Sequence, residues 1–185
     1  MRKLALAFVI LALSASGAMA MDMAARTFYI HGIFSLPTGD FGDYAGNGFG
    51  GGVGISVPHN DMLNFRGEVG YIMFGKEDFS YGDYSWEYGF SMIPIVALAE
   101  YTFSPDTPVY GLGGVGLHIL RSTWEGDDPF SDGTIDESDS ETKFGFALGG
   151  GFNVNERFSV EGRYTLIPDS DQSADQLTIN GILHF

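Results

Sequence analysis

The sequence predicts an all-β protein, an eight-stranded antiparallel up-and-down transmembrane β-barrel. Three observations predict it: apolar residues alternate with small or polar ones, the alternating segments number eight, and their connections are short and long in turn. A period of two marks a strand whose two faces differ. An even number of segments near the roughly 10 residues that cross a bilayer at a tilt, joined by alternating turns and loops, is the pattern of a membrane barrel. A sandwich has no reason to alternate its connections in this way.

The first twenty residues stand apart from the fold. Arg2 and Lys3 precede an apolar run from Leu4 to Leu13, and Ala18-Met19-Ala20 offers a small-x-small cleavage site. That layout is a secretory signal peptide over residues 1–20, leaving 21–185 as one barrel domain. The chain has no cysteine, which excludes disulfides and thiolate chemistry. Its 9 basic residues fall to 7 without Arg2 and Lys3, against 24 acidic ones, a formal charge of −17. That sign excludes nucleic acid as a partner. No apolar run after the leader approaches the roughly 20 residues of a spanning helix. Any spanning must be done by strands.

The first strand, 26–36, sets Phe28, Ile30, Phe34 and Leu36 against Thr27, Tyr29, His31 and Ser35. The second, 48–57, sets Phe49, Val53, Ile55 and Val57 against glycines and Ser56. In the third, 62–74, Leu63, Phe65, Val69 and Tyr71 oppose Asn64, Arg66 and Glu68. The fourth, 86–103, contains Pro94, which cannot donate to a ladder and predicts a bulge or a strand start. Below it, Glu100 points opposite to Ile93, Ile95, Ala97 and Tyr101.

The fifth, 108–121, opposes Val109, Val115, Leu117 and Ile119 to Tyr110, Gly114, Gly116 and His118. The hairpin 143–166 supplies the sixth and seventh. Phe144, Phe146, Leu148 and Phe152 share one parity there, and after the turn Phe158, Val160, Tyr164 and Leu166 oppose Arg157, Ser159, Glu161, Arg163 and Thr165. The eighth, 175–185, alternates Leu177, Ile179, Leu183 and Phe185 with Gln176, Thr178, Asn180 and His184. The tight links fall at 58–61, 104–107 and 153–156, and the long ones at 37–47, 75–85, 122–141 and 167–174.

Polarity decides which face is outside. A charge facing lipid at mid-membrane costs about 2–4 kcal/mol, so the charged and glycine-rich parity points inward. The aromatic parity meets lipid, with Phe28, Tyr71, Trp86, Tyr101, Phe103, Phe152, Phe158 and Tyr164 as candidate girdle residues. Eight strands leave an interior that side chains just fill. Seven charges project into it: Arg66, Glu68, Glu100, Lys143, Arg157, Glu161 and Arg163. The third and seventh strands stand opposite in an eight-strand ring, so Glu68 and Arg163 are placed to meet. A paired network of this kind reads as a structural plug, and the alternative is a narrow gated ion path.

Glu125, Asp127, Asp128, Asp132, Asp136, Glu137, Asp139 and Glu141 crowd the third long loop, which has no basic residue. It reads as a solvated loop, or as a surface for divalent cations or an extracellular partner, although it lacks the spacing of a calcium loop. Phe41, Tyr44, Phe79, Tyr81, Tyr84, Trp124 and Phe130 add aromatics to the loops, as recognition surfaces or anchors. His31, His59, His118 and His184 fall on separate segments without metal-ligand spacing and read as structural. No cofactor motif is present, and no loop histidine or His-x-Ser pair supports a hydrolytic site.

The segments GFGGGVGISV, PVYGLGGVGL, FGFALGGGFNVNERFSVEGRYTLI and LTINGILHF resemble the small outer-membrane barrels of Gram-negative bacteria, the OmpX-like and OmpA-transmembrane-domain-like proteins. The resemblance covers nearly the whole chain after the leader. It implies an outer-membrane location, lipid as the surrounding partner, and a terminal signal carried by Leu177, Ile179, Leu183 and Phe185 for the barrel-assembly machinery. With nothing following Phe185, it implies the barrel alone. The family differs mainly in its outer loops, so the function it implies is structural, envelope-stabilising or surface-interactive and adhesin-like, without enzymatic activity. The alternatives are a narrow channel, a lipid-modifying enzyme, and a soluble ligand-binding barrel, which would need an apolar lumen.

Overall fold

The computed structural model describes residues 26–81, 84–104, 106–127, 134–168 and 173–185. Among the described residues nine strands appear in order: β1 (Thr27–Pro37), β2 (Gly48–Pro58), β3 (Leu63–Phe74), β4 (Glu77–Tyr81), β5 (Tyr84–Thr102), β6 (Val109–Asp127), β7 (Thr134–Asn153), β8 (Phe158–Leu166) and β9 (Gln176–His184). Each pairs antiparallel with its neighbour, β9 returns to β1, and β3 skips β4 to pair with β5. Eight strands therefore close into an up-and-down barrel, and β4 forms a short hairpin with the start of β5. The proposed leader, residues 1–20, lies outside the described residues.

Closure leaves the eight wall strands without a free edge where the ring is complete, and the side chains invert the soluble pattern. Along β8, Phe158, Val160, Tyr164 and Leu166 are exposed while Ser159, Glu161, Arg163 and Thr165 are buried. The same reversal runs round the wall, where Ile30, Val53, Val69, Ile95, Leu148 and Ile179 all lie open on the outside. An apolar surface of this extent is suited to acyl chains. Leu177, Ile179, Leu183 and Phe185 belong to it.

Two of the tight turns use one device. Asn60 Oδ1 accepts the N–H groups of Met62 and Leu63, both at 2.9 Å, and Asn155 Oδ1 does the same for Arg157 and Phe158 at 2.9 Å. Each asparagine mimics a backbone turn and fixes the register of the hairpin above it. At the opposite end the chain extends further than its alternation indicates. Residues 75–85, expected as a loop, contain β4 and the start of β5. Residues 122–141, also expected as a loop, continue β6 and β7 with paired backbones from Leu120↔Glu141 to Asp127↔Thr134.

Pro94 introduces neither a bulge nor a strand start. The β5–β6 register is unbroken from Trp86↔Gly126 to Thr102↔Tyr110, with Pro94 opposite His118. On its other side the β3 ladder stops at Val69↔Ile95 and resumes at Ile72↔Met92 in the same register. The proline thus omits its bond on the seam that closes the barrel. Gly70 makes room for the ring, since a Cβ there would lie 3.3 Å from Pro94 Cγ.

The interior has two storeys. The half nearer the tight turns holds the charged and polar side chains, beside an apolar patch of Val96, Leu98, Tyr110, Leu112 and Ala147 on one wall. Nearer the loops, Ile33, Ile72, Phe74 and Met92 point inward and pack with Phe41, Ala45, Ile167 and Ala174. The inward parity, polar by the sequence, is thus apolar at this level. The short 3-10 helix Gly39–Asp43 tips inward to insert Phe41, which meets Phe74 edge-on at 5.0 Å. Gly39, at φ +59°, begins that fold-back.

Inward glycines are matched to inward rings on the neighbouring strand. Tyr29 faces Gly54, His31 faces Gly52 and Tyr110 faces Gly151 across the ladder, and a Cβ on any of these glycines would overlap the ring. Outward Gly162 has open space where its Cβ would be. Gly151→Val is expected to destabilise the barrel by about 1–3 kcal/mol through overpacking, with partial recovery when Tyr110→Ala is added. Gly162→Val should stay within about 0.5 kcal/mol of the parent. Urea unfolding from lipid vesicles, followed by heat-dependent gel mobility, measures both.

Candidate functional site

At mid-lumen two short sequences face each other, Arg66-Gly67-Glu68 on β3 and Glu161-Gly162-Arg163 on β8. Alternation points both end residues of each triplet inward. These strands lie opposite and parallel in the ring, so the mirrored order sets Arg66 against Glu161 and Glu68 against Arg163. Arg66 Nη1 donates to Glu161 Oε2 at 2.7 Å, and Arg163 Nη1 donates to Glu68 Oε2 at 2.8 Å. Within each strand Arg66 also bonds Glu68 at 2.5 Å, and Arg163 bonds Glu161. The four side chains make a closed ring of alternating charge.

Further groups complete it. Glu100 on β5 accepts from Arg66 Nη1 at 3.0 Å and from Asn64 Nδ2 at 2.9 Å. The Tyr29 hydroxyl donates to Glu68 at 2.8 Å and accepts from Arg66 Nε at 3.1 Å, and the Tyr110 hydroxyl donates to Glu161 at 3.3 Å. All five charged side chains are at most 14% exposed. Buried charges persist only when paired and hydrogen-bonded, which this arrangement achieves. Tyr29 and Tyr110 are the members that sequence reasoning left out. Their inward parity beside Arg66 and Glu161 was the available signal.

Two of the seven sequence-derived charges do not join. Arg157 sits in the exposed 154–157 turn, away from the buried ring, and its carbonyl accepts His184 N–H at 2.8 Å. Lys143 is inward but near the loop end, with its ammonium 3.3 Å from Glu141. Of the acidic stretch, Glu137, Asp139 and Glu141 are exposed on β7, while Glu125, Asp127 and Asp136 are placed by their backbone pairing alone. Asp128 and Asp132 lie outside the described residues, as does Phe130.

Among the described residues, one recess adjoins the ring inside the lumen and one opens at each end of the barrel. His31 and His118 come from opposite walls to line an internal cavity of ≈ 20 Å³ beside Glu68 and Arg163, the room of about one water. The nitrogens His31 Nδ1, His31 Nε2 and His118 Nδ1 make no hydrogen bond among the described residues. At the turn end a polar vestibule of ≈ 540 Å³ contains Ser159 and His184, with Ser159 Oγ 3.0 Å from His184 Nε2. The serine hydroxyl donates to Asn153 Oδ1 at 2.8 Å, so its proton is directed away from the imidazole and the pair is arranged as a structural contact. At the loop end a third recess of ≈ 530 Å³ is walled by Phe41, Tyr44, Tyr88, Phe90 and Trp124.

Removing one member of the charge ring should leave its partners buried and unpaired. Arg163→Met is expected to destabilise the barrel by about 3–5 kcal/mol. Adding Glu68→Met should recover most of that loss, because the Arg66–Glu161 pair survives and an apolar pair replaces the other. Equal losses in the single and double variants, by urea unfolding in vesicles, would show that the ring is not coupled in this way.

Solved structures with this architecture are similar to the chain over most of its length. Ail, the attachment invasion locus protein of Yersinia pestis, aligns with a TM-score of 0.60 at 16% identity, covering 86% of this chain and 97% of its own. The N-terminal β-barrel domain of Pseudomonas aeruginosa OprF gives 0.56 at 11% identity over 86% and 97%. A major outer membrane protein from Thermus thermophilus gives 0.52 at 13% over 87% and 100%. No curated protein matches the sequence. Residues 8–185 match the family described as outer membrane protein beta-barrel domain, which places the protein in the bacterial outer membrane. The chain belongs to that family.

Proposed function

We propose that this protein is a sealed wall element of the outer membrane that acts through its loop end, holding the envelope and presenting a surface to a partner. The observation that carries the reading is the double plug. A closed charge ring and an apolar stack occupy the lumen in series, so the interior side chains are committed to one another. Elsewhere the described residues offer the lipid-facing wall and the polar vestibule at the tight turns, and the loop end is where a non-catalytic protein of this build has extended surface to offer. In this reading lipid surrounds the wall, Leu177, Ile179, Leu183 and Phe185 are the signal for the assembly machinery, and residues 1–20 are removed on export.

The likeness to Ail, a protein named for attachment and solved with the heparin analogue sucrose octasulfate, supports a surface role. The charge of this chain points to a different partner from a polysulfate. At −15 for the whole sequence, with Glu137, Asp139 and Glu141 exposed on the β6–β7 hairpin, the loop end disfavours polyanions and favours neutral or cationic partners.

In planar bilayers the purified barrel is expected to leave a flat baseline, and stable large conductance steps would overturn the plug. Removing residues 126–135 should lower adhesion of barrel-displaying bacteria to a protein-coated surface while leaving heat-dependent gel mobility unchanged. Unchanged adhesion would remove the surface role.

A further inference from the structure

The recess at the loop end has the size of a small-molecule site, ≈ 530 Å³, and aromatic side chains supply much of its lining. Its walls come from widely separated parts of the chain: Phe41 and Tyr44 beside the short helix, Tyr88 and Phe90 on β5, and Trp124 on β6. The rings interlock edge to face. Phe41 meets Phe90 at 5.6 Å and 82°, Phe90 meets Tyr88 at 4.6 Å and 84°, and Tyr88 meets Trp124 at 5.9 Å and 69°. The apolar storey supports this chain from below through Phe41 and Phe90. The walls are therefore held in place before any ligand arrives.

Yet the outer rings remain uncovered, with Tyr44 49% and Trp124 46% exposed. One carboxylate, Asp40, stands among the aromatics. Lys143 also lines the recess, but its ammonium is engaged with Glu141 at 3.3 Å. Asp43, Glu137 and Asp139 are exposed at the same end.

We infer that this recess binds a small organic cation, a quaternary or alkylated ammonium whose charge lies against the aromatic faces and Asp40. Aromatic faces carry negative potential and attract weakly hydrated cations, and a cage of rings with a nearby carboxylate is suited to recognise them. A purely apolar ligand would desolvate Asp40 without giving it a partner. An anion would meet that carboxylate and the acidic hairpin. The inference deepens the reading of the loop end as the working end and rests on it.

The test uses the refolded full chain in a maltoside detergent, which carries no ammonium group of its own, in a Trp86→Phe background so that Trp124 alone reports. Choline is expected to change Trp124 fluorescence saturably. Its neutral carbon isostere, 3,3-dimethylbutan-1-ol, should bind about tenfold more weakly, a difference of about 1.4 kcal/mol. Tyr88→Leu and Asp40→Asn should each weaken choline by a similar factor, with gel mobility confirming the fold. Asp40 is exposed on the short helix and belongs to no wall strand, so its variant tests the site without threatening the barrel. Glycerophosphocholine, titrated alongside, distinguishes the sources of the group: weaker binding than choline assigns a free cation, and equal binding a lipid headgroup.

Equal affinity for the neutral isostere, no saturation by about 50 mM choline, or indifference to both substitutions would overturn the inference. Absent choline binding, with adhesion still dependent on residues 126–135, sinks the inference and spares the surface role. Retained choline binding, with adhesion indifferent to that deletion, supports the inference and removes the adhesive reading.

Discussion

Backbone closure is the constraint from which the rest follows. In hydrocarbon every N–H and C=O must find a partner within the protein, so a sheet that crosses a bilayer cannot keep an edge. The β3–β5 seam supplies the last pairing, and it tolerates Pro94 only because the register continues past the gap and Gly70 leaves room for the ring. Closing on eight strands fixes a narrow interior. Narrowness then dictates the matching of Tyr29, His31 and Tyr110 to glycines, since two large side chains cannot share one rung. It also forces the inward charges together.

The charge ring is better understood as a register device than as a source of stability. A buried ion pair rarely outperforms a well-packed apolar pair, because desolvation opposes the Coulomb gain. Breaking such a pair is costly, however, and misalignment breaks it. The triplets Arg66-Gly67-Glu68 and Glu161-Gly162-Arg163 are mirrored, so sliding β8 by two residues against β3 would bring like charges together. Sliding by one would turn the charges to lipid. The mirrored spacing therefore selects one alignment of two strands that never touch through their backbones.

How much of this was legible in the sequence depends on the range of the information. Alternation is local, so the wall strands, their outward residues and the tight turns could be read directly, and so could the opposition of Glu68 and Arg163. The parity rule says nothing of where burial stops, which is why Arg157 was counted with the lumen charges although it lies exposed at the edge of the turn. It also missed the apolar storey, because Ile72 and Phe74 share the inward parity of Arg66 and Glu68 while differing in height. Nothing local reveals that Phe41 folds back into the mouth. The extension of β6 and β7 was hidden by their serines, aspartates and glutamates, which lack strand-type alternation once lipid no longer divides the two faces. Pro94 was misjudged for a related reason: a local rule about missing donors could not see the seam that absorbs it.

The two storeys also divide the molecule energetically. Members of the charge ring bond to one another and to Tyr29, Tyr110 and Asn64, whereas the rim aromatics rest on Phe41, Phe90 and the apolar stack. Side chains without shared partners vary nearly independently. A rim can therefore change its chemistry while the wall keeps its register, and the wall asks of its outward positions only that they be apolar. Such a degenerate requirement explains how a fold can persist between Ail and this chain at 16% identity. For the same reason, shared architecture carries little information about what each rim recognises. That information lies in the side chains of the mouth, which here combine aromatic rings with negative charge above the apolar stack and the charge ring.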